Sequence, residues 1–171
     1  MRIAISGSHG FIGSHLRGYF ERAGHVAIPL VRNADGSGIR WSPDNPKGID
    51  TKSLAGMDAI IHLAGENVFG LWSARKKKKI RDSRVKGTRN LCSAIAEMEG
   101  PPKIFLSASA IGFYGDRKDE ILTEESGPGT GFLSGVCKDW EAATSVLAER
   151  GQDSCEHTFW NCLGQVRWSA S

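Results

Sequence analysis

Residues 6–13 read Ser-Gly-Ser-His-Gly-Phe-Ile-Gly, and this glycine-rich stretch decides the fold. It joins an apolar run at 2–6 to an amphipathic run at 11–23. In such a junction Gly7 permits a tight turn, Gly10 lets the backbone approach a phosphate, and Gly13 lets a helix lie close to a sheet. The free N–H groups at the start of the helix attract anions. The stretch therefore predicts a strand, a turn that binds the pyrophosphate of a dinucleotide, and a helix.

Strand-like and helix-like segments alternate along the rest of the chain, which is typical of a parallel sheet with helices on both faces. Runs rich in β-branched residues predict strands at 2–6, 26–31, 58–63 and 103–107, and the loop at 33–50 has room for a brief strand at 39–41. Helices are predicted at 11–23, 73–98 and about 131–149. The predicted fold class is α/β, a Rossmann-like open parallel sheet.

The end of the second predicted strand bears on the choice of dinucleotide. A site for NAD(H) usually carries Asp or Glu there to bind the ribose hydroxyls, but this sequence reads Val31-Arg32-Asn33. A guanidinium can pair with a 2′-phosphate and offers no acceptor to a 2′-hydroxyl. The residues therefore favour NADP(H) over NAD(H). The alternative is that Arg32 is an exposed arginine that contacts no ligand.

Composition argues against several other classes of function. The 171 residues suit one domain, and 22 basic against 19 acidic residues give a net charge of +3, which points neither to nucleic acid nor to a membrane surface. The four cysteines match neither a metal site nor a disulfide framework, and no segment approaches the ~18 apolar residues of a membrane span. We therefore predict a cytoplasmic protein without a metal. The oligomeric state stays open.

Two conspicuous features have simple structural interpretations. Lys76, Lys77, Lys78 and Lys79 are consecutive, so on a helix they point around the whole cylinder and are interpreted as a solvated helix start. His62 lies in a predicted buried strand and is interpreted as a hydrogen-bonded core residue.

Four further motifs relate the chain to a known family. They are Leu63-Ala64-Gly65-Glu66-Asn67, residues 80–88 (IRDSRVKGT), residues 107–116 (SASAIGFYGD) and residues 136–141 (VCKDWE). With the glycine turn they resemble the extended short-chain dehydrogenase/reductases, and most closely the YfcH-type branch of the NAD-dependent epimerase/dehydratase family. The resemblance runs from Met1 to about Gly151.

The resemblance implies where a cofactor would lie. Ala64 and Gly65 would pass beneath it, Glu66 would lie near its ribose or nicotinamide, and Ser107 and Ser109 would lie beside the nicotinamide. The expected cofactor-binding residues are Gly7, Gly10, Phe11, Ile12, Gly13, Arg32, Leu63, Ala64, Gly65, Glu66, Arg84 and Ser107.

The reaction is less well specified than the cofactor. Most relatives use a tyrosine for proton transfer and a lysine four residues later that lowers the pKa of the tyrosine. This chain has Ser134 four residues before Lys138, so the Tyr-x-x-x-Lys pattern is absent. Ser109 and Tyr114 could form another acid–base pair, or Ser109 caps a strand end and Tyr114 packs in the core. The family implies an oxidoreductase or epimerase acting on a sugar nucleotide or small carbonyl compound; the alternative is a non-catalytic nucleotide-binding module or an inactive truncated product.

The last twenty residues depart from the family pattern. The family has a fifth strand there, whereas this chain carries Cys155, Trp160 and Cys162 without strand alternation. When the codons permitted for residues 152–170 are read one nucleotide further on, they allow a family-like sequence, R-I-V-V-N-T-R-F-G-I-V-L-G. Tryptophan has a single codon, so Trp160 and Trp168 each force a glycine in the shifted reading frame. We hypothesise a frameshift near codon 152, which gene sequencing would refute if no family-like continuation lies in the neighbouring frame.

The hypothesis sets an expected domain division. Residues 1–151 would form an incomplete dinucleotide-binding domain, and residues 152–171 an atypical tail. The sheet is then expected to stop after the fourth strand and its following helix, which leaves that strand as an exposed edge. The alternative is that residues 158–163 pair with this edge as a makeshift strand.

Overall fold

The computed structural model describes residues 1–33 and 38–149, and the backbone of 156–160. The strands are β1 (Arg2–Ser6), β2 (Val26–Val31), β3 (Ile39–Arg40), β4 (Ala59–His62), β5 (Ile104–Ala108) and β6 (Glu156–Trp160). The helices are α1 (Phe11–Arg22), α2 (Thr51–Leu54), α3 (Ala74–Ala96), α4 (Phe132–Ala142) and α5 (Ser145–Glu149), with a 3₁₀ turn at Ile111–Tyr114.

All six strands lie in one parallel sheet with the order β3-β2-β1-β4-β5-β6. Ser6 is in register with Leu30 on one side and with His62 on the other, so the carboxyl ends of the three central strands lie together. The order reverses between β1 and β4, and open α/β sheets bind ligands outside the carboxyl ends at such a point. The prediction of a Rossmann-like α/β sheet is confirmed.

Helices cover the two faces of the sheet with separate apolar cores. On one face Leu91 and Ile95 of α3 pack with Ile60 and Phe105, and all four side chains are fully buried. On the other face Leu16 and Phe20 of α1 pack against isoleucines of β1 and β4. Strands buried on both faces explain the near-continuous apolar runs in the sequence.

The predicted helix at 131–149 is wrong in one respect, because the segment forms two helices. α4 ends at Ala142 and α5 begins at Ser145. Between them the hydroxyl of Thr144 donates to the carbonyl of Glu141 at 2.8 Å, a local bond that competes with continued helical pairing. The short helix α2 was also missed; the carboxylate of Asp50 caps it by accepting from the amide of Ser53 at 3.1 Å.

The expectation that the sheet stops after its fourth long strand is wrong. β6 pairs in parallel with β5 over five residues, from Ile104 opposite Glu156 to Ala108 opposite Trp160. The physical reason is that β5, as an edge strand, would leave a row of backbone N–H and C=O groups unpaired, and β6 pairs with them. The makeshift strand foreseen at 158–163 overlaps β6 at 158–160, and 161–163 lie outside the described residues, as do 150–155 and 164–171.

Candidate functional site

The glycine turn brings three segments of backbone unusually close together. Gly7 has φ +69°, and a Cβ there would lie 3.0 Å from the amide nitrogen of Ala64. A Cβ on Gly13 would lie 2.2 Å from the carbonyl oxygen of Gly7, which no side chain tolerates. The amide of Gly10, the N-cap residue of α1, donates to that same carbonyl at 2.9 Å. The turn therefore holds the first N–H groups of α1 at the carboxyl edge of the sheet.

Two cavities flank this turn. The first, which we call the glycine cleft, has a volume of about 400 Å³; the second, the serine cavity, has about 370 Å³. They meet at Gly7, Gly10 and Leu63, so together they form one groove across the switch point of the sheet. Of the expected cofactor-binding residues, the cleft is also lined by Arg32, Ala64, Gly65 and Glu66, and the serine cavity by Phe11, Ile12, Gly13 and Arg84.

Ser107 is the one expected cofactor-binding residue that lines neither cavity. It lines a separate apolar space under α1, with Leu16 and Phe20. Ser107 is buried at the end of β5, and its hydroxyl donates to the carbonyl of Ala108 at 3.4 Å. Ser109, two residues further on, does line the serine cavity.

A buried polar chain fixes the floor of the groove. The hydroxyl of Ser6 accepts from the amides of Leu63 at 3.0 Å and Ala64 at 3.2 Å, and it lies 2.7 Å from Nδ1 of His62. With both amides pointing at its oxygen, this hydroxyl is left to donate to Nδ1. Nε2 of His62 then carries the hydrogen and donates to the hydroxyl of Thr88 at 3.0 Å.

His62 is therefore a structural residue, in agreement with the sequence interpretation. Its side chain is fully buried, and burial lowers the pKa of the imidazole from 6.5 to about 4. Trp140 of α4 donates from Nε1 to the same Thr88 hydroxyl at 2.9 Å. The chain of bonds thus links the floor of the groove to α3 and α4.

Glu66 lies at the cleft with its charge already paired. Nζ of Lys76 lies 2.8 Å from Oε1 of Glu66, and this bond, followed by the charges of Lys76, Lys79 and Arg32, lowers the pKa of the carboxyl. The amide of Glu66 donates to Ser83 at 2.9 Å. Helix α3 therefore fixes both the side chain of Glu66, through Lys76, and its backbone, through Ser83.

Arg84 crosses the floor of the serine cavity. Its guanidinium donates to the carbonyl of Glu66 at 2.9 Å and lies 5.2 Å from the ring centroid of Trp140. A Cβ on Gly65 would lie 3.0 Å from the central carbon of this guanidinium, so glycine makes room for it. Burial lowers the pKa of the Arg84 guanidinium.

The two candidate catalytic residues differ in position. Ser109 lines the serine cavity, and its hydroxyl donates to the carboxylate of Glu141 on α4. Tyr114 is fully buried in the 3₁₀ turn, where its ring contacts Phe113 edge to face at 5.2 Å, and burial raises its pKa. Tyr114 does not line the serine cavity.

Glu141 was missed by the sequence analysis. The signal was available, since this carboxylate closes the VCKDWE motif, but nothing in the sequence indicated which serine it would meet.

Within residues 1–33 and 38–149, no group of three His, Cys, Asp or Glu side chains could hold a metal ion. In the same part of the chain, no helix is both long and apolar enough to cross a membrane.

The parallel sheet, its switch-point groove and the glycine turn define an α/β nucleotide-binding protein of the dehydrogenase type. Residues 3–132 match the family described as "NAD dependent epimerase/dehydratase family", and the chain belongs to this family.

Similar proteins agree with this assignment. An epimerase family protein of Mycobacterium leprae is 38% identical over 145 residues, which cover 83% of this chain and 46% of the relative. The crystal structure of a nucleoside-diphosphate sugar epimerase from Corynebacterium glutamicum has a TM-score of 0.79 and 39% identity, covering 94% of this chain and 33% of that one. The human epimerase family protein SDR39U1 (isoform 2) with NADPH has a TM-score of 0.77 and 26% identity, covering 93% and 52%. The chain spans about half the length of the curated relatives it matches.

Proposed function

We propose that this chain binds NADP(H) in the groove formed by the glycine cleft and the serine cavity, as the cofactor-binding part of an oxidoreductase or epimerase. The observation that carries the proposal is the turn at Gly7, Gly10 and Gly13, where a Cβ on Gly7 or Gly13 would lie within 3.0 Å of backbone atoms. This arrangement suits a pyrophosphate, which needs N–H groups and a close backbone.

The preference for NADP(H) rests on the charges around the glycine cleft. Arg32 is exposed at the end of β2 and lines the cleft. Glu66 is the one carboxylate among the lining residues, and Lys76 already engages it. A 2′-phosphate would therefore meet the guanidinium of Arg32, which forms no ion pair with residues 1–33 or 38–149. The human relative crystallised with NADPH supports the same preference.

The chemistry would take place in the serine cavity. There the cofactor would exchange a hydride with a small polar substrate such as a sugar nucleotide, the class named for the Corynebacterium relative. As a substrate hydroxyl is oxidised, Ser109 would take the proton of that hydroxyl and pass its own proton to the Glu141 carboxylate through the bond the two already make. Tyr114 is buried and does not line the cavity, so it would act as an acid only after moving toward it. We further propose a cytoplasmic protein with neither nucleic acid nor membrane as partner.

A second candidate function is a nucleotide-binding module without catalysis. The burial of Tyr114 favours it, because no tyrosine lines the serine cavity. Titrating the purified chain with NADPH and NADH, and then assaying it with UDP-glucose and small aldehydes, separates the two functions. Turnover that Ser109→Ala abolishes without loss of NADPH binding supports the enzyme. Binding without turnover supports the module, and failure to bind either dinucleotide refutes both.

A further inference from the structure

A third cavity, of about 450 Å³, opens beside the glycine cleft, and we call it the lysine cavity. Its walls are the end of β2, the segment after β3 and the first turns of α3. It shares Arg32, Pro43, Glu66 and Ser83 with the glycine cleft, so the two spaces are neighbours.

Counting only the residues that the structure describes, the lysine cavity is lined by more cations without an ion pair than carboxylates without one. Four cationic side chains line it, with three carboxylates. Lys78 pairs with Asp82, and the carboxylate of Glu66 is held by Lys76. The remaining cations, Arg32, Arg75 and Lys79, form no ion pair with any residue of 1–33 or 38–149. Asp44 is the one unpaired carboxylate in the lining, on the same basis.

Helical spacing explains why part of the lysine run faces this cavity. Arg75 and Lys79 are four residues apart, so they lie on one face of α3. Lys76 turns to Glu66, and Nζ of Lys77 lies 5.5 Å from the ring centroid of Phe132, outside the cavity. The four lysines therefore make different contacts. Arg75, which precedes them, and Lys79 are the two cations of this segment that line the cavity without an ion pair to residues 1–33 or 38–149.

Two of these cations, Lys79 and Arg32, act on a carboxylate that the lysine cavity shares with the glycine cleft. The charges of Lys79 and Arg32 both lower the pKa of the Glu66 carboxyl. Each must therefore lie within Coulombic reach of one carboxylate, although one belongs to α3 and the other follows β2. An anion near Glu66 would be attracted from both sides.

We propose that Arg75 and Lys79 join Arg32 to bind the 2′-phosphate of NADP(H), with α3 supplying one side of the site and β2 the other. The inference rests on the proposed function, because it assigns a further part of the same ligand. A 2′-phosphate carries nearly two negative charges at neutral pH, and the glycine cleft gives it entry beside Arg32.

The test compares ligands that differ only in this phosphate. Binding of NADPH, NADH, 2′,5′-ADP and 5′-AMP is measured by calorimetry for the unmodified chain and for Lys79→Gln and Arg75→Gln. Lys77→Gln is the matched control, because it removes the same charge from the same helix outside the cavity. All three side chains are exposed, so the variants should fold, which thermal melting checks.

We expect Lys79→Gln and Arg75→Gln each to weaken NADPH and 2′,5′-ADP about tenfold, the usual effect of losing one charge-assisted hydrogen bond. NADH and 5′-AMP should change less than twofold, and Lys77→Gln should change none of the four. Unaltered NADPH affinity in both cavity variants overturns the inference while leaving dinucleotide binding intact. Equal losses for NADPH and NADH also overturn it, and an unmodified chain that binds neither dinucleotide refutes the proposed function itself.

Discussion

The buried imidazole of His62 makes the stability of the fold depend on pH in a calculable way. Its pKa is about 4 in the folded chain and 6.5 as the ordinary value. Between these values the unfolded chain binds a proton that the folded chain does not, so acid favours unfolding. At 1.36 kcal/mol per pKa unit, this one group should lower the free energy of unfolding by about 2 kcal/mol between pH 7.5 and pH 5.

Urea denaturation at several pH values in this range measures the effect, and His62→Gln removes it. Other groups titrate as well, so the informative quantity is the difference between the slopes of the two proteins. Thr88→Ser is the control, because it disturbs the same buried chain of bonds while retaining the imidazole, and it should keep the full slope. Equal slopes for His62→Gln and the unmodified chain would refute the assignment of a neutral, buried His62.

Three more substitutions test the packing and the charges around the groove. Thr88→Val leaves two buried donors, on His62 and Trp140, without their acceptor, and should lower the free energy of unfolding by about 2–4 kcal/mol in urea denaturation. Gly13→Ala places a Cβ 2.2 Å from the Gly7 carbonyl, and calorimetry should show at least tenfold weaker NADPH binding, whereas Gly18→Ala on the same helix should not. Arg32→Asp replaces a cation with a carboxylate, and competition binding should show a shift of preference toward NADH.

Each of these predictions has an outcome that would contradict it. A loss below about 1 kcal/mol for Thr88→Val would mean that both donors find other acceptors. Equal NADPH affinity in the Gly13 and Gly18 variants would mean that the glycine turn does not contact the cofactor. An unchanged ratio of NADPH to NADH affinity in Arg32→Asp would remove Arg32 from the 2′-phosphate site.

The strands and the glycine turn could be predicted because their signals are local. The spacing of Gly7, Gly10 and Gly13 follows from backbone contacts within one βα unit, and β-branched runs mark strands buried on both faces. Residues distant in sequence but joined at the groove gave no such signal. The bond between Ser109 and Glu141 spans 32 residues, and it depends on how α4 packs against the end of β5.

The errors in the predicted fold also have physical causes. The break after α4 depends on one hydroxyl, that of Thr144, which turns back to a carbonyl of the preceding turn. The sequence of β6 does not alternate between apolar and polar residues, so it gave no strand signal. Its pairing depends instead on the open edge of β5. The place of Ser107 beside the cofactor follows from the family resemblance and stays a prediction, although Ser107 lines neither cavity of the groove.

Calorimetric titration of the purified chain with NADPH and NADH tests dinucleotide binding most directly. We predict saturable binding of one NADPH per chain, with NADPH preferred over NADH by about tenfold or more, as expected when a charge-assisted contact to the 2′-phosphate is gained. Heats no larger than those of dilution for both dinucleotides, with the chain folded by circular dichroism, would contradict the account.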